Sequence, residues 1–398
     1  MDLLLKPHKL AGSLQVIPSK SQAHRALICA ALADRETELI CPEVNRDMEA
    51  TAQCLRALGA GILHTDRGYQ VRPIRRLPER AELPCGESGS TLRFLLPVAG
   101  ALGVDSTFIL EGRLPGRPLS PLWEELQRMG CCLSRPQPDQ VRICGRLQSG
   151  EYRIRGDVSS QFITGLLLAG TRISGTTRIT LVGTVESKPY IDMTLDMLVH
   201  FGCPAENMTI TGGQALRSPG TLTVGGDWSS GAFFLGANAL GSSVEVLGLD
   251  PDSRQGDRAA AVLLPRLSPD RPVSGAQIPD LIPILAVVAA CGSGGVFTDI
   301  GRLRLKESDR VETTLALIRG LGGQAWAEGD TLYVSGTGLK GGTVDAAGDH
   351  RIAMSAAIAA TACREPVILT GAQCVSKSYP EFFREYSRLG GQYEQYIR

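Results

Sequence analysis

The sequence predicts an α/β protein of two domains, each built from three repeats of one α/β unit. Three observations carry that prediction. A polar cluster followed by a helix of small apolar residues occurs six times, the spacing is close to 70 residues, and glycine-terminated helices leading into strand-like segments travel with it. The six openings are IPSKSQAHRALICAAL, GESGSTLRFLLPVAGAL, GDVSSQFITGLLLAG, GDWSSGAFFLGANAL, IPDLIPILAVVAA and GDHRIAMSAAIAATA, marked by Lys20, Glu87, Asp157, Asp227, Asp280 and Asp349. Successive markers lie 67, 70, 70, 53 and 69 residues apart, so one copy is shortened.

Within each copy the pattern reads strand, polar turn, helix, strand, helix and a closing hairpin. CLRALGAGILHTDRGYQVRP, ELQRMGCCLSRPQPDQVRICG and LALIRGLGGQAWAEGDTLYVSG show the second helix, its glycine C-cap and the hairpin. MLVHFGCPAENMTITGG and YSRLGGQYEQYIR show them more weakly, and the short fourth copy, AVLLPRLSPDRPVSG, has no hairpin. The domain boundary is expected near SPGTLTVGGD, where a Pro-Gly pair suits a crossing.

The helix starts carry the chemistry. In IPSKSQAHR, Ser19 or Ser21 caps a helix whose expected buried stripe is Ala23, Ala26, Leu27, Ala30 and Ala31. Ser21 and Arg25 then share a face beside free backbone N–H groups, an arrangement suited to an anion, although a capped helix with a solvated arginine explains the same nonapeptide. Gly86 to Arg93 sets two glycines and two hydroxyls before a helix, for close approach of a phosphate or for a plain tight turn. Ser159, Ser160 and Gln161 offer hydroxyls and an amide, or a capping box. Glu186 to Met193 brings Ser187, Lys188 and Tyr190 ahead of a proline-opened helix, and EGRLPGRPLS supplies Arg113 and Arg117.

GRLRLKESDRVETT is the densest segment, with Lys306, Glu307 and Arg310 about a helix start. Glu307 and Arg310 also fit an ordinary i,i+3 salt bridge. GDHRIAM adds Asp349, His350 and Arg351, and an arginine at a helix N-terminus makes sense when an anion is at hand. SKSYPEFF adds Lys377.

Composition narrows the partners. The 398 residues hold 41 basic and 41 acidic side chains and only 5% aromatics, which argues against a nucleic-acid or acidic-membrane surface. Eleven cysteines form no C-x-x-C pair and no zinc spacing, so a reducing cytoplasm is expected and no metal or other cofactor. MDLLLKPHKL reads as neither a signal nor a transit peptide. IPILAVVAACGSGGVF, the longest apolar run, is broken by proline and glycines and is expected as a buried helix and strand rather than a membrane span. GTGLKG matches G-x-G-x-x-G after a strand, yet GTVDAAGDH follows in place of a long helix, so a dinucleotide site is not expected.

Taken together, IPSKSQAHR, CGESGSTLR, GDVSSQF, ESKPYIDMT, LRLKESDR, GDHRIAM and KSYPEFF resemble the signature segments of the EPSP synthase (3-phosphoshikimate 1-carboxyvinyltransferase) family, in the family's order and over nearly the whole chain. The resemblance implies an enolpyruvyl transferase fold of six units around two pseudo-threefolds. It implies domains 19–224 and 1–18 with 225–398, and an active site in the cleft between them. It implies transfer of the enolpyruvyl group of phosphoenolpyruvate to the 5-hydroxyl of shikimate 3-phosphate, with release of phosphate, by a cytoplasmic monomer.

By matching motif, Ser21 and Arg25 are implied to hold the shikimate carboxylate, and Ser159, Ser160, Ser187 and Lys306 its phosphate, with Tyr190 near the ring. Gln161 is implied to lie between the substrates. Lys20, Gly89, Arg117 and Lys377 are implied for the phosphate of phosphoenolpyruvate, and Arg310 and Arg351 for its carboxylate. Lys20, Asp280 and Glu307 are the implied catalytic residues, with Asp280 and Glu307 carrying protons and Asp280 also meeting the shikimate substrate. Two departures stand out. Arg302 occupies a position where some members have asparagine, and GluSerGlySer replaces AsnAlaGlyThr, which leaves glyphosate sensitivity open. The sibling transferase acting on UDP-N-acetylglucosamine usually shows Lys-Asn in the first motif and a cysteine in the loop that here reads EGRLPGRPLS. A non-catalytic phosphate-ligand or RNA-binding protein on a similar repeat is the rival of another class.

Overall fold

A computed structural model of the chain describes residues 1–213 and 215–397; Gln214, and Arg398 at the end of the expected second domain, lie outside them. The chain forms two compact units, Pro18–Val224 and Met1–Ile17 with Gly225–Arg398.

In Pro18–Val224, helices Lys20–Ala31, Gly89–Leu102 and Ser160–Gly170 open the three repeats. Each repeat has its own small sheet, in which a parallel pair is extended by antiparallel strands. Arg80–Gly86 runs parallel to Asp105–Leu110, which pairs antiparallel with Gln140–Gly145 and then Cys131–Ser134. Gly150–Arg155, Gly175–Val182 and Thr209–Gly212 form the third sheet, which lacks the last hairpin strand. The first repeat takes its parallel strand from the far end of the unit, where Thr221–Thr223 joins Thr37–Ile40, Gly68–Arg72 and Gly61–Thr65.

The second unit follows the same plan, with opening helices Trp228–Ala239, Ile282–Cys291 and His350–Ala360. IPILAVVAAC is the buried helix expected from the sequence, and Gly295–Thr298 is the strand after it. The short copy has a single parallel pair, Ser243–Leu247 with Ala11–Gln15. In the last copy Leu3–Lys6 stands between Val367–Thr370 and Gln392–Gln395, antiparallel to both. The fourth copy lacks the hairpin, as its sequence indicates, and the strands borrowed from distant segments are the feature the local pattern did not announce. Where a copy lacks a strand locally, a distant segment can supply it, because a strand edge needs hydrogen-bond partners but does not need them nearby in sequence.

The opening helices are buried more fully than a single stripe. From Ala23 to Ala31 every residue is buried, His24 and Arg25 included. Small side chains allow such close packing from several sides, as Gly165 shows: a Cβ there would stand 2.3 Å from the carbonyl oxygen of Arg93 in the neighbouring helix. Burying a residue such as Leu27 or Ile28 contributes roughly 1.5–3 kcal/mol. His24 fits because it is uncharged. Burial draws its pKa down to about 3, and Nδ1 lies 2.7 Å from the Thr51 hydroxyl.

Candidate active site

The Pro18–Val224 unit gathers polar groups at the starts of its helices. Ser19, not Ser21, caps the Lys20–Ala31 helix, its hydroxyl accepting from the Gln22 N–H. Lys20 follows at once, and its ammonium is paired with Asp47 at 3.0 Å. Arg25 is 2% exposed and spans three helices: Nε donates to Thr194 Oγ1 at 2.8 Å, Nη1 to Ser21 O at 2.5 Å, and Nη2 to Thr164 Oγ1 and Tyr190 O at 3.2 and 2.8 Å. Four of the five guanidinium N–H bonds that an arginine offers are thus committed to the fold. The alternative of a solvated arginine fails, because Thr164 and Thr194 lie far along the chain and their hydroxyls hold the side chain inward. Burial lowers its pKa to about 10, so Arg25 stays charged at neutral pH.

Ser88 caps the Gly89–Leu102 helix through the Thr91 N–H. A Cβ on Gly89 would come within 2.8 Å of Arg117 Nη1 and 2.9 Å of Arg93 Nη1, so two guanidinium groups close on this one glycine. Such convergence of like charges is costly unless an anion is shared between them. Arg93 continues to the next repeat, donating to Gln161 Oε1 at 2.8 Å and to Pro118 O at 3.1 Å, while Gln161 Nε2 donates to Ser90 Oγ at 3.0 Å. Ser159 caps the Ser160–Gly170 helix through the Gln161 N–H. Ser187 is a buried N-cap with φ of 53°, held in the left-handed region ahead of Pro189.

The other unit concentrates its ionised groups about Arg310, which is 1% exposed and opens the Arg310–Gly320 helix. Its Nε donates to Asp349 Oδ2 at 2.7 Å, Nη1 to Asp280 Oδ1 at 2.6 Å, and Nη2 to Glu307 Oε2 at 2.6 Å. Arg351 Nη2 donates to Asp280 Oδ2 at 3.1 Å, and Lys306 Nζ stands 3.8 Å from Asp280 Oδ1. Asp349 also caps the His350–Ala360 helix through the Arg351 N–H. Three cations therefore face three carboxylates. The Glu307–Arg310 pair is real, but it is one edge of a cage rather than a surface bridge.

Burial opposes ionisation of Asp280, yet Arg351, Lys306 and Arg310 outweigh it and hold the carboxyl well below its ordinary range. Lys306 shows the opposite balance, with burial drawing its ammonium down to about 8 in spite of Asp280. Lys377 ends the 3-10 turn Ala372–Lys377. Among the described residues no group of three or more His, Cys, Asp or Glu side chains is placed to hold a metal ion.

Each implied substrate set is divided between the units. Ser21, Arg25, Ser159, Ser160, Gln161, Ser187 and Tyr190 lie in one, and Asp280 and Lys306 in the other; Lys20, Gly89 and Arg117 lie in the first, and Arg310, Arg351 and Lys377 in the second. The sequence reading missed Asp47, Arg93 and the central part played by Asp349. Arg93 was within reach, since it follows Gly89 by four residues just as Arg25 follows Ser21.

Two units of three α/β repeats, with cationic groups at the helix starts, define a two-domain enolpyruvyl transferase fold. A solved EPSP synthase from Acinetobacter baumannii shares it, with a TM-score of 0.80 over 99% of this chain and 100% of that one at 23% identity. The profile of the EPSP synthase (3-phosphoshikimate 1-carboxyvinyltransferase) family matches residues 4–270 and 266–386. The chain belongs to this family, a transferase family of the shikimate pathway. Relatives named 3-phosphoshikimate 1-carboxyvinyltransferase from Clostridium kluyveri and Clostridium botulinum are 36% and 37% identical to it, each over 98% of both chains.

Proposed function

We propose that this chain transfers the enolpyruvyl group of phosphoenolpyruvate to the 5-hydroxyl of shikimate 3-phosphate, and that groups from both units act on the substrate pair. The observation that carries the reading is the cage about Asp280, in which Lys306, Arg310 and Arg351 are held in place by the protein's own carboxylates. Arg310 and Arg351 take the carboxylate of phosphoenolpyruvate, a planar anion matched to their paired N–H groups. Lys20, Gly89, Arg117 and Lys377 receive its phosphate, and Arg93 orients Gln161 between the substrates. Ser159, Ser160, Ser187 and Lys306 bind the phosphate of shikimate 3-phosphate. Ser21 and the remaining N–H of Arg25 meet its carboxylate, and Tyr190 its ring.

Addition places a proton on C3 of the enol, removes one from the 5-hydroxyl and joins that oxygen to C2. Elimination takes a proton back from the methyl group and expels phosphate. Once the substrate carboxylate engages Arg310 and Arg351, their pull on Asp280 weakens and its proton affinity rises, which readies Asp280 for this exchange with Glu307 as its partner. The remaining fixed cations stabilise charge developing on phosphate.

We further propose a monomer working in the cytoplasm. Eleven cysteines, all free thiols, support a reducing compartment, and among the described residues no helix is long and apolar enough to cross a membrane. The decisive assay is phosphate release from phosphoenolpyruvate, with shikimate 3-phosphate and UDP-N-acetylglucosamine offered separately. Release with the first and not the second is expected, and the reverse would transfer the chain to the sibling activity.

Lys306 gives the proposal a pH signature. Its charge is lost above about pH 8, so kcat/KM for shikimate 3-phosphate falls on the alkaline side with a midpoint near that value. In Lys306→Arg the fall is expected to disappear from the accessible range, because arginine keeps its charge; an alkaline limb common to both proteins would remove Lys306 from the phosphate site.

A further inference from the structure

Asp257 takes no part in the roles described so far. It lies in the 3-10 turn Gly256–Ala259 of the shortened repeat and is 1% exposed. Ser229, in the first turn of the Trp228–Ala239 helix, donates its hydroxyl to Oδ2, while Oδ1 meets no hydrogen-bond partner among the described residues. A carboxylate buried with one oxygen bare is costly when ionised, and such a group is a natural acceptor for a proton. Three charged groups act on it: Asp280 and Asp227 oppose its ionisation, and Arg351 favours it. Two of these, Asp280 and Arg351, belong to the cage.

We propose that Asp257 is a positioning residue that couples the arrival of phosphoenolpyruvate to the uptake of one proton from solvent. The inference rests on Arg351 as a ligand of the substrate carboxylate. When that carboxylate binds, it adds negative charge and engages Arg351, a cation that favours ionised Asp257. The proton then settles on Asp257 itself, and no bond of the substrate changes. The charges of Arg351 and Asp280 set the direction, and burial sets the range: Asp257 is drawn up to about 6, so at pH 7 it is mostly ionised before phosphoenolpyruvate binds. Protonation relieves repulsion against Asp280 and removes a negative charge that competes with the substrate for Arg351.

The test is calorimetric titration of phosphoenolpyruvate at pH 7, in two buffers of different ionisation enthalpy. The protein is saturated with 5-deoxyshikimate 3-phosphate, which has no hydroxyl to attack. Wild type is expected to take up about half a proton to one proton more than Asp257→Asn. Correspondingly, the KM for phosphoenolpyruvate rises above pH 6 by up to about tenfold per pH unit more in wild type than in the variant. The phosphate of phosphoenolpyruvate titrates alike in both experiments and cancels. Ser229→Ala removes the hydroxyl that favours the charged form, so its window moves to higher pH; this variant carries the test should Asp257→Asn fail to show a native melting curve. Equal proton counts with parallel profiles, or an unmoved window in Ser229→Ala, overturn the proposal while leaving the transferase reading intact. Absence of any phosphoenolpyruvate binding to wild type overturns the reading on which it rests.

Discussion

Asp280→Asn and Glu307→Gln are each expected to lower turnover by about 10² to 10⁴, the usual cost of losing one acid–base group. Both substitutions keep size and most hydrogen bonding, so substrate should still protect the protein against proteolysis while turnover collapses. The cage explains why the two need not fall equally. Asp280 touches Arg310, Arg351 and Lys306, whereas Glu307 meets Arg310 at 2.6 Å. Asp280→Asn therefore also leaves three cations with less anionic partnership, and its KM for phosphoenolpyruvate should fall as those cations turn to the substrate. A drop in KM accompanying the loss of kcat would mark the displacement of Asp280 by the substrate carboxylate. Turnover near wild type in both variants would make the cage purely structural and remove the assigned proton carriers.

The largest effect on stability is expected from Arg310→Met. The arginine is buried, and its removal takes one ion-pair partner at once from Asp280, Glu307 and Asp349, in a site where Asp349 has no exposure. Breaking a buried ion pair by deleting one partner costs about 3–5 kcal/mol. For a unit of this size that corresponds to a fall of roughly 6–20 °C in the melting temperature. The pH dependence gives a second reading. In wild type Arg310 offsets the burial of Asp349 and holds that carboxyl below its ordinary range, a contribution present above the carboxylate range and lost as pH falls through it. In the variant the carboxylates that have lost Arg310 bind protons more readily, so the deficit against wild type should shrink as pH is lowered from 7 towards 4. Coincident melting curves at every pH would show that the cage contributes nothing to the fold.

What the sequence revealed and what it hid divide along physical lines. Helix starts, glycine caps and the Glu307–Arg310 pair were legible because each is decided within a few residues, by periodicity or by an i,i+3 spacing. The shortened fourth copy was legible for the same reason, since a missing hairpin leaves a gap in a regular spacing. Lys20 with Asp47, Arg93 with Gln161 and Arg25 with Thr194 were not, because 27, 68 and 169 residues separate the partners and no local pattern encodes them. Arg25 is the instructive case. An arginine beside a helix start looks like a solvent-facing ligand until hydroxyls from two later helices turn most of its donors inward. The same limit applies to the sheets, whose borrowed strands, Thr221–Thr223, Leu3–Lys6 and Ala11–Gln15, come from far along the chain.

That borrowing of strands has a consequence for synthesis. Leu3–Lys6 and Ala11–Gln15 are made well before their partners at Val367–Thr370, Gln392–Gln395 and Ser243–Leu247. Pro18–Val224 contains all of its own strand partners and can complete its three sheets while the rest of the chain is still being translated. At about 5–20 residues per second, the leading strand waits roughly 20 to 75 seconds for the last of its neighbours. During that interval Leu3 and Leu5, both buried in the finished protein, lack the strands that cover them. Leu3–Lys6 is thus among the last strands to find its place, although it is made long before its partners.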